Sequence, residues 1–231
     1  MKRFVIGDIH GAHKALLQCF ERSGFDRDRD LLISLGDVCD GWPQVNQSIE
    51  ELLRVKHLKV ILGNHDQWTL KWMTDGWKEE LWLSQGGAAT MESYRRDPKL
   101  VPESHKHLLQ EAALFIELDN KLFVHGGINP GLTLDKQNPE ILLWDRDLLN
   151  KAVKICKKTP DHRYGKWENI FVGHTATEYY RTFEPIHACN VWAMDTGAGW
   201  SGKLTIMDMD STQYWQSDLT PSLYPNISGR R

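Results

Sequence analysis

The chain lacks most of the features that announce specialised protein classes. Its 231 residues contain only four cysteines, Cys19, Cys39, Cys156 and Cys189, scattered and without a Cys-x-x-Cys pair. That excludes a zinc ribbon and a thioredoxin-type redox motif. A chain this long needs no disulfide staples, so the four cysteines read as small core hydrophobes in a reducing, cytoplasmic setting. No apolar run approaches the ~18–20 residues that span a bilayer. The opening Met-Lys-Arg-Phe-Val-Ile-Gly-Asp has too short an apolar stretch for a signal peptide. No membrane partner is expected. Basic charge is not in excess either: 28 Lys plus Arg stand against 31 Asp plus Glu, so dedicated duplex-DNA binding is not expected. There is no internal repeat and no low-complexity tract. The 41% hydrophobic and 26% charged residues are ordinary globular values, and a single domain over 1–231 is expected.

What the chain does have is tryptophan, ten in all, four of them between Trp68 and Trp82. It also has short β-branched and leucine runs that end in glycine, histidine or a carboxylate. These are Phe4–Ile6 before Gly7-Asp8, Leu31–Leu35 before Gly36-Asp37, and Lys59–Leu62 before Gly63-Asn64-His65. Leu122–Val124 before His125 and Ile170–Val172 before Gly173-His174 follow, and Asn190–Met194 and Lys203–Met207 close the series. Such runs read as strands buried on both faces. Helical patterns at His13–Arg22 and Val45–Val55 separate the first three, which predicts parallel βαβ units. From Trp68 to about Arg96 the strand signal stops, and two or three short helices are expected in an insert spanning about 67–112. Trp68, Trp72 and Trp82 read as its core, with one or two indoles able to wall a substrate groove. From Ala113 on, short strands and hairpins are expected, including Leu114–Leu118 with Lys121–His125 across Asp119-Asn120. The Pro/Ser/Gly-rich tail, about 219–231, is expected to be loose.

The chemistry concentrates at strand ends, where open α/β sheets gather ligands. Five ends deliver Asp8 and His10, Asp37, Asn64 and His65, His125, and His174. A single strand-end histidine is weak support for a site. Five groups of hard-oxygen and imidazole donors with no thiolate are strong support, and they suit Mn, Fe, Zn or Mg. There are too many donors for one ion with an open position. Two ions sharing a bridging carboxylate use them naturally, and that arrangement points to phosphate-ester hydrolysis.

These motifs, Gly7-Asp8-Ile9-His10-Gly11, Gly36-Asp37-Val38-Cys39-Asp40, Gly63-Asn64-His65-Asp66, His125-Gly126-Gly127 and Gly173-His174-Thr175, resemble the calcineurin-like metallophosphoesterase superfamily. Within it the chain is most similar to the branch of serine/threonine protein phosphatases and bacterial diadenosine tetraphosphatases. The resemblance implies a four-layer α/β/β/α sandwich with a helical insert near the active site. It implies Asp8, His10 and Asp37 on one metal, with Asp37 bridging, and Asn64, His125 and His174 on the second. The ions would be two divalent cations, manganese foremost, with Fe, Zn, Ni, Co or Mg as alternatives, and a hydroxide bridging them would be the nucleophile. His65 matches the general acid, Asp40 the carboxylate that orients it, and Arg146 a phosphate-binding arginine. Asp66, Asp145 and Asp195 read as structural, and the histidines outside the motifs are not expected as ligands.

Three departures from the pattern matter. Ala176 stands where many members of the superfamily carry a second histidine, which favours the protein-phosphatase-like branch. Gly41 and Leu62 stand where phosphate-clamping arginines are usual, so Arg95, Arg96, Arg163 or Arg181 must compensate or the substrate differs. A nucleotide polyphosphate or phosphodiester, with Trp42 or the insert stacking on a base, is then the alternative. The expected activity is a phosphomonoesterase of the protein-phosphatase type. The alternatives are a dinucleotide polyphosphate hydrolase or a nucleic-acid-end or cyclic-nucleotide phosphoesterase, and more remotely a non-enzymatic metal-binding interaction module. The expected partner is accordingly a phosphorylated substrate: a phosphoprotein, a nucleotide or a nucleic-acid end.

Overall fold

The computed structural model describes residues 1–230. The elements in chain order begin with β1 (Arg3–Ile6), α1 (His13–Ser23), β2 (Leu31–Ser34), α2 (Val45–Leu53) and β3 (His57–Val60). Helices α3 (Asn64–Asp75), α4 (Glu80–Trp82), α5 (Ala88–Ser93) and α6 (Glu103–Gln110) follow, with a wide turn at Leu83–Gly87 and a 3₁₀ turn at Pro98–Leu100. Then come β4 (Phe115–Leu118), β5 (Lys121–Val124), α7 (Pro139–Trp144), α8 (Asp147–Cys156), β6 (Asn169–Val172), β7 (Ile186–Ala188) and β8 (Val191–Ala193). The chain closes with β9 (Thr205–Asp208), β10 (Tyr214–Gln216) and α9 (Thr220–Leu223).

Two five-stranded sheets form, in the orders β10-β9-β1-β2-β3 and β4-β5-β6-β8-β7. β1, β2 and β3 pair in parallel, as the helices between them require. Val5, Ile33, Leu35, Phe123, Phe171 and Met207 fill the space between the sheets. At its centre Phe123 and Phe171 stack with ring centroids 5.0 Å apart. The outer face of the first sheet is covered by α1, α2 and the helical insert, and that of the second by α7 and α8. This is the expected four-layer sandwich.

The hairpin across Asp119-Asn120 is present, both turn residues lying at positive φ (46° and 61°) as a two-residue hairpin turn demands. One expectation needs completing and one correcting. The second half holds the expected short strands, β4 to β10, but it is not strands alone: α7 and α8 also occupy it, because Leu142, Leu143, Leu148, Leu149 and Ala152 recur at helical spacing and are buried. Nor is the tail loose through residue 230. Thr220 and Tyr224 are buried, Tyr224 stacks on Trp42 at 4.9 Å, and Arg230 N–H donates to the Gly199 carbonyl. Composition alone missed a tail anchored by one aromatic residue; Arg231 lies outside the described residues. Among the described residues no helix is long and apolar enough to cross a membrane.

Candidate metal centre

Each predicted donor follows a strand or opens a helix at the same edge of the sandwich. Asp8 lies just beyond β1, Asp37 beyond β2, His125 beyond β5 and His174 beyond β6, while Asn64 and His65 begin α3 after β3. The chain must turn sharply at these points to aim side chains across the edge. His10, Asp37, Asp40 and His174 accordingly sit in the left-handed region, with φ of 49°, 49°, 68° and 61°. For non-glycine residues that costs on the order of 1 kcal/mol or more each. Such strain persists where the surrounding structure holds it.

The two sheets together gather the donors into two groups that share a residue. Asp8, His10 and Asp37 form one and Asp37, His125 and His174 the other, the ligand atoms of each within 4.8 Å of one another and all buried. Asn64 Oδ1 joins the second group, 3.0 Å from His125 Nε2 and 2.9 Å from His174 Nδ1. Second partners set the tautomers. His10 Nδ1 lies 2.9 Å from the Cys39 carbonyl and His125 Nδ1 2.8 Å from that of Leu35. A carbonyl only accepts, so both Nδ1 atoms carry protons and both Nε2 atoms face Asp37, at 3.5 and 3.4 Å.

The polar atoms left over test whether this group suits cations. Asp8 Oδ1, Asp37 Oδ2 and His174 Nε2 are buried with no hydrogen-bond partner among the described residues, a costly state for a purely structural cluster. The electrostatics agree. Burial and the carboxylates of Asp195 and Asp37 push Asp8 well above the usual carboxylate range. Burial also opposes charge on Asp37 and on His125, but their proximity wins: Asp37 falls well below its ordinary value and His125 is pushed up to about 10. Burial and the neighbouring His125 charge push His174 down to about 2. One buried carboxylate that resists ionisation and one that favours it, beside imidazoles pushed in opposite directions, fit a site that takes positive ions.

The chain's sequence matches the profile of the calcineurin-like phosphoesterases over residues 1–199. It belongs to the calcineurin-like metallophosphoesterase family. It is 30% identical over 220 residues to serine/threonine-protein phosphatase 1 of Salmonella typhimurium, covering 88% of this chain and 89% of that one. It is also 30% identical over 284 residues to the symmetrical bis(5'-nucleosyl)-tetraphosphatase of Vibrio parahaemolyticus, with 94% and 99% covered. In fold it is similar to the crystal structure of a protein provisionally assigned as a diadenosine tetraphosphatase, with a TM-score of 0.64, 18% identity and 93% and 92% of the chains covered. The chain is therefore a hydrolytic enzyme of this metallophosphoesterase family.

Beside the metallophosphoesterase donor cluster, His65 Nδ1 lies 2.7 Å from Asp40 Oδ2. Four groups converge on that carboxylate. Trp82 Nε1–H donates to Oδ2 at 2.8 Å, and the hydroxyls of Thr90 and Thr69 donate to Oδ1 at 2.6 and 3.2 Å. Trp82 and Thr90 come from the insert and Thr69 from α3. Sequence reasoning missed all three as site residues, since nothing in their spacing ties them to Asp40. Asp66, as expected, is structural: it accepts from the Val38, Cys39 and Gly63 amides at 2.9, 3.1 and 3.2 Å. Asp195 accepts from the Gly197 amide. Asp145 accepts from the Leu148 amide at the start of α8.

The tryptophans divide by role. Trp72 and Trp82 are core. Trp68, half-buried, stands edge-on to His65 at 5.1 Å and packs on Trp144, which is edge-on to His174 at 5.8 Å. Trp42 is not available for stacking on a base: it is 1% exposed, packed on Tyr224 and donating to the Ala198 carbonyl at 2.6 Å. Arg146 opens α8, and its charge helps push His174 down. Two of the arginines named as possible compensators are engaged elsewhere, Arg96 with Glu92 and Arg163 with the carbonyls of Trp167 and Glu168. Arg95 lines a groove of about 670 Å³ between α1, α2 and α6, which contains none of the predicted site residues. The guanidinium that does reach the cluster is Arg230, its Nη1 3.2 Å from His10 Nε2.

Proposed function

We propose that this enzyme is a two-metal phosphomonoesterase of the protein-phosphatase type. The observation carrying the reading is the pair of buried donor groups that share Asp37. In it Asp8, His10 and Asp37 hold one divalent cation and Asp37, Asn64, His125 and His174 the other, with manganese the first candidate. Bound there, such cations make a nucleophile from water at neutral pH and neutralise phosphoryl oxygens. The remaining work falls to the chain. His65, its Nδ1–H donating to Asp40, acts in its protonated form and gives the Nε2 proton to the leaving alkoxide, becoming the neutral imidazole. Asp40 is buried beneath it and is itself fixed by Trp82, Thr90 and Thr69, which donate to its two oxygens. Arg146, near His174, supplies a cation for the ester's phosphate.

A dinucleotide polyphosphate is the second reading, favoured by the half-exposed Trp68–Trp144 pair beside His65 and His174, since indole faces accept nucleobases of any sequence. The deciding experiment loads the metal-stripped protein with Mn, Ni, Co, Fe, Zn or Mg in turn. It then compares p-nitrophenyl phosphate, a phosphoserine peptide, diadenosine tetraphosphate and a 2′,3′-cyclic nucleotide. Phosphopeptide turnover exceeding that of the nucleotides supports the first reading. Preference for the tetraphosphate replaces it with the second, and no turnover with any metal leaves a binding module.

A further inference from the structure

The Arg230 side chain lies in a slot made by three glycines from three separate parts of the chain. A Cβ on Gly41 would stand 3.2 Å from Arg230 Cγ, one on Gly86 3.1 Å from the same atom, and one on Gly199 3.2 Å from Cδ. Gly41 follows the β2 loop, Gly86 sits in the wide turn of the insert, and Gly199 precedes β9. Gly41 and Gly86 are at φ of 99° and 106°, where a side chain is strained as well as crowded. A Cβ at Gly86 would also stand 2.5 Å from the Gly41 amide nitrogen, and one at Gly199 would run into His10 Cδ2, so the slot has no room for larger residues there.

At the end of the slot two groups orient the guanidinium, and it stands beside the donor cluster. Its carbon lies 4.7 Å above the Trp200 ring centroid, Nη2 donates to Gln85 Oε1 at 2.9 Å, and Nη1 approaches His10 Nε2. Nε is buried and has no acceptor among the described residues. A cleft of about 380 Å³, lined by Trp42, Glu178, Trp200, Ser201 and Arg230 among others, opens beside it. No carboxylate pairs with this guanidinium among the described residues, so its charge is available to an anion from the cleft.

We propose that Arg230 is a substrate-binding arginine that grips the phosphoryl group of the ester, delivered to the active site by the C-terminal segment. The proposal rests on the phosphoesterase reading above. It answers how a chain with glycine at 41 and leucine at 62 binds phosphate. The arginine arrives from a distant stretch of sequence and occupies the space beside Gly41.

Inorganic phosphate is the probe, titrated calorimetrically into Mn-loaded wild type, Arg230→Ala, Arg230→Lys and, as a charge control, Arg163→Ala. Metal content is measured on each protein. Phosphate affinity weakened at least about tenfold in Arg230→Ala, less in Arg230→Lys and not at all in Arg163→Ala, with metal content unchanged, is the expected result. KM for p-nitrophenyl phosphate rises in parallel. Wild-type phosphate affinity retained in Arg230→Ala overturns the assignment while leaving the phosphoesterase reading intact. If metal-loaded wild type binds no phosphate and hydrolyses no ester, that reading fails and the assignment falls with it.

Discussion

At the scale of single residues, the site depends on groups that neighbours hold in one chemical form. Asp37 is the residue that both donor groups need, so Asp37→Ala is expected to lose both cations. Elemental analysis after dialysis checks this, and full metal occupancy would contradict the shared position. His65 has a different part. His65→Asn should keep its metals and lose about 10²–10⁴ in kcat, with phenyl phosphate suffering more than p-nitrophenyl phosphate because its poorer leaving group needs the proton more. An equal loss on both esters argues against proton donation. These residues were legible in the sequence because each lies within two positions of a glycine that closes an apolar run. Arg230 was not, since a residue near the end of the chain carries no local signal of what it will touch.

At the scale of elements, the insert does more than cover the first sheet. Its helices bring Trp82 and Thr90 onto Asp40, so the carboxylate that orients His65 is itself held by the insert. Trp82→Phe keeps a bulky aromatic in the Trp72–Trp77–Trp82 cluster and removes one donor to a charged group, an interaction worth roughly 1.5–3 kcal/mol. We expect a several-fold fall in kcat at unchanged metal content, with a lower melting temperature. Unaltered kcat would mean that Asp40 needs only His65 and the two threonines. The helical character of the insert was readable from its tryptophan spacing. The division into core Trp72 and Trp82 and site-facing Trp68 was not, because Trp68 and Trp72, four apart on α3, and Trp82 on α4 meet different neighbours once the helices are packed.

At the scale of the whole molecule, the site exists because two sheets meet. Phe171 lies between them against Phe123, and Phe171→Ala should cost about 3–5 kcal/mol in urea denaturation; a loss below ~1 kcal/mol would mean that the sheets close over the gap. Arg3 also ties them, pairing with Asp119 in the hairpin turn of the second sheet and Asp210 in that of the first. The hydrogen bond from Arg3 holds Asp210 below its ordinary pKa. Its stabilising effect is therefore present above the unfolded value of about 3.9 and lost as pH falls through the lower folded value. Asp210→Asn should lower the melting temperature at neutral pH and flatten its decline on acidification, measured by calorimetry from neutral to acid pH. An unchanged acid slope would remove Asp210 from the linkage.

The alternation of buried strands and amphipathic helices, and the donors at the strand ends, are local properties written residue by residue. Hydrophobic periodicity and turn chemistry act over a few positions, so the sandwich and the six side chains that gather in the donor cluster could be read in advance. The sharing of Asp37 between two groups, the four donors around Asp40 and the slot through which Arg230 reaches His10 depend on segments up to 220 positions apart. Such meetings are products of packing between layers, and no short-range pattern in a chain encodes which distant residue will fill the space beside a glycine.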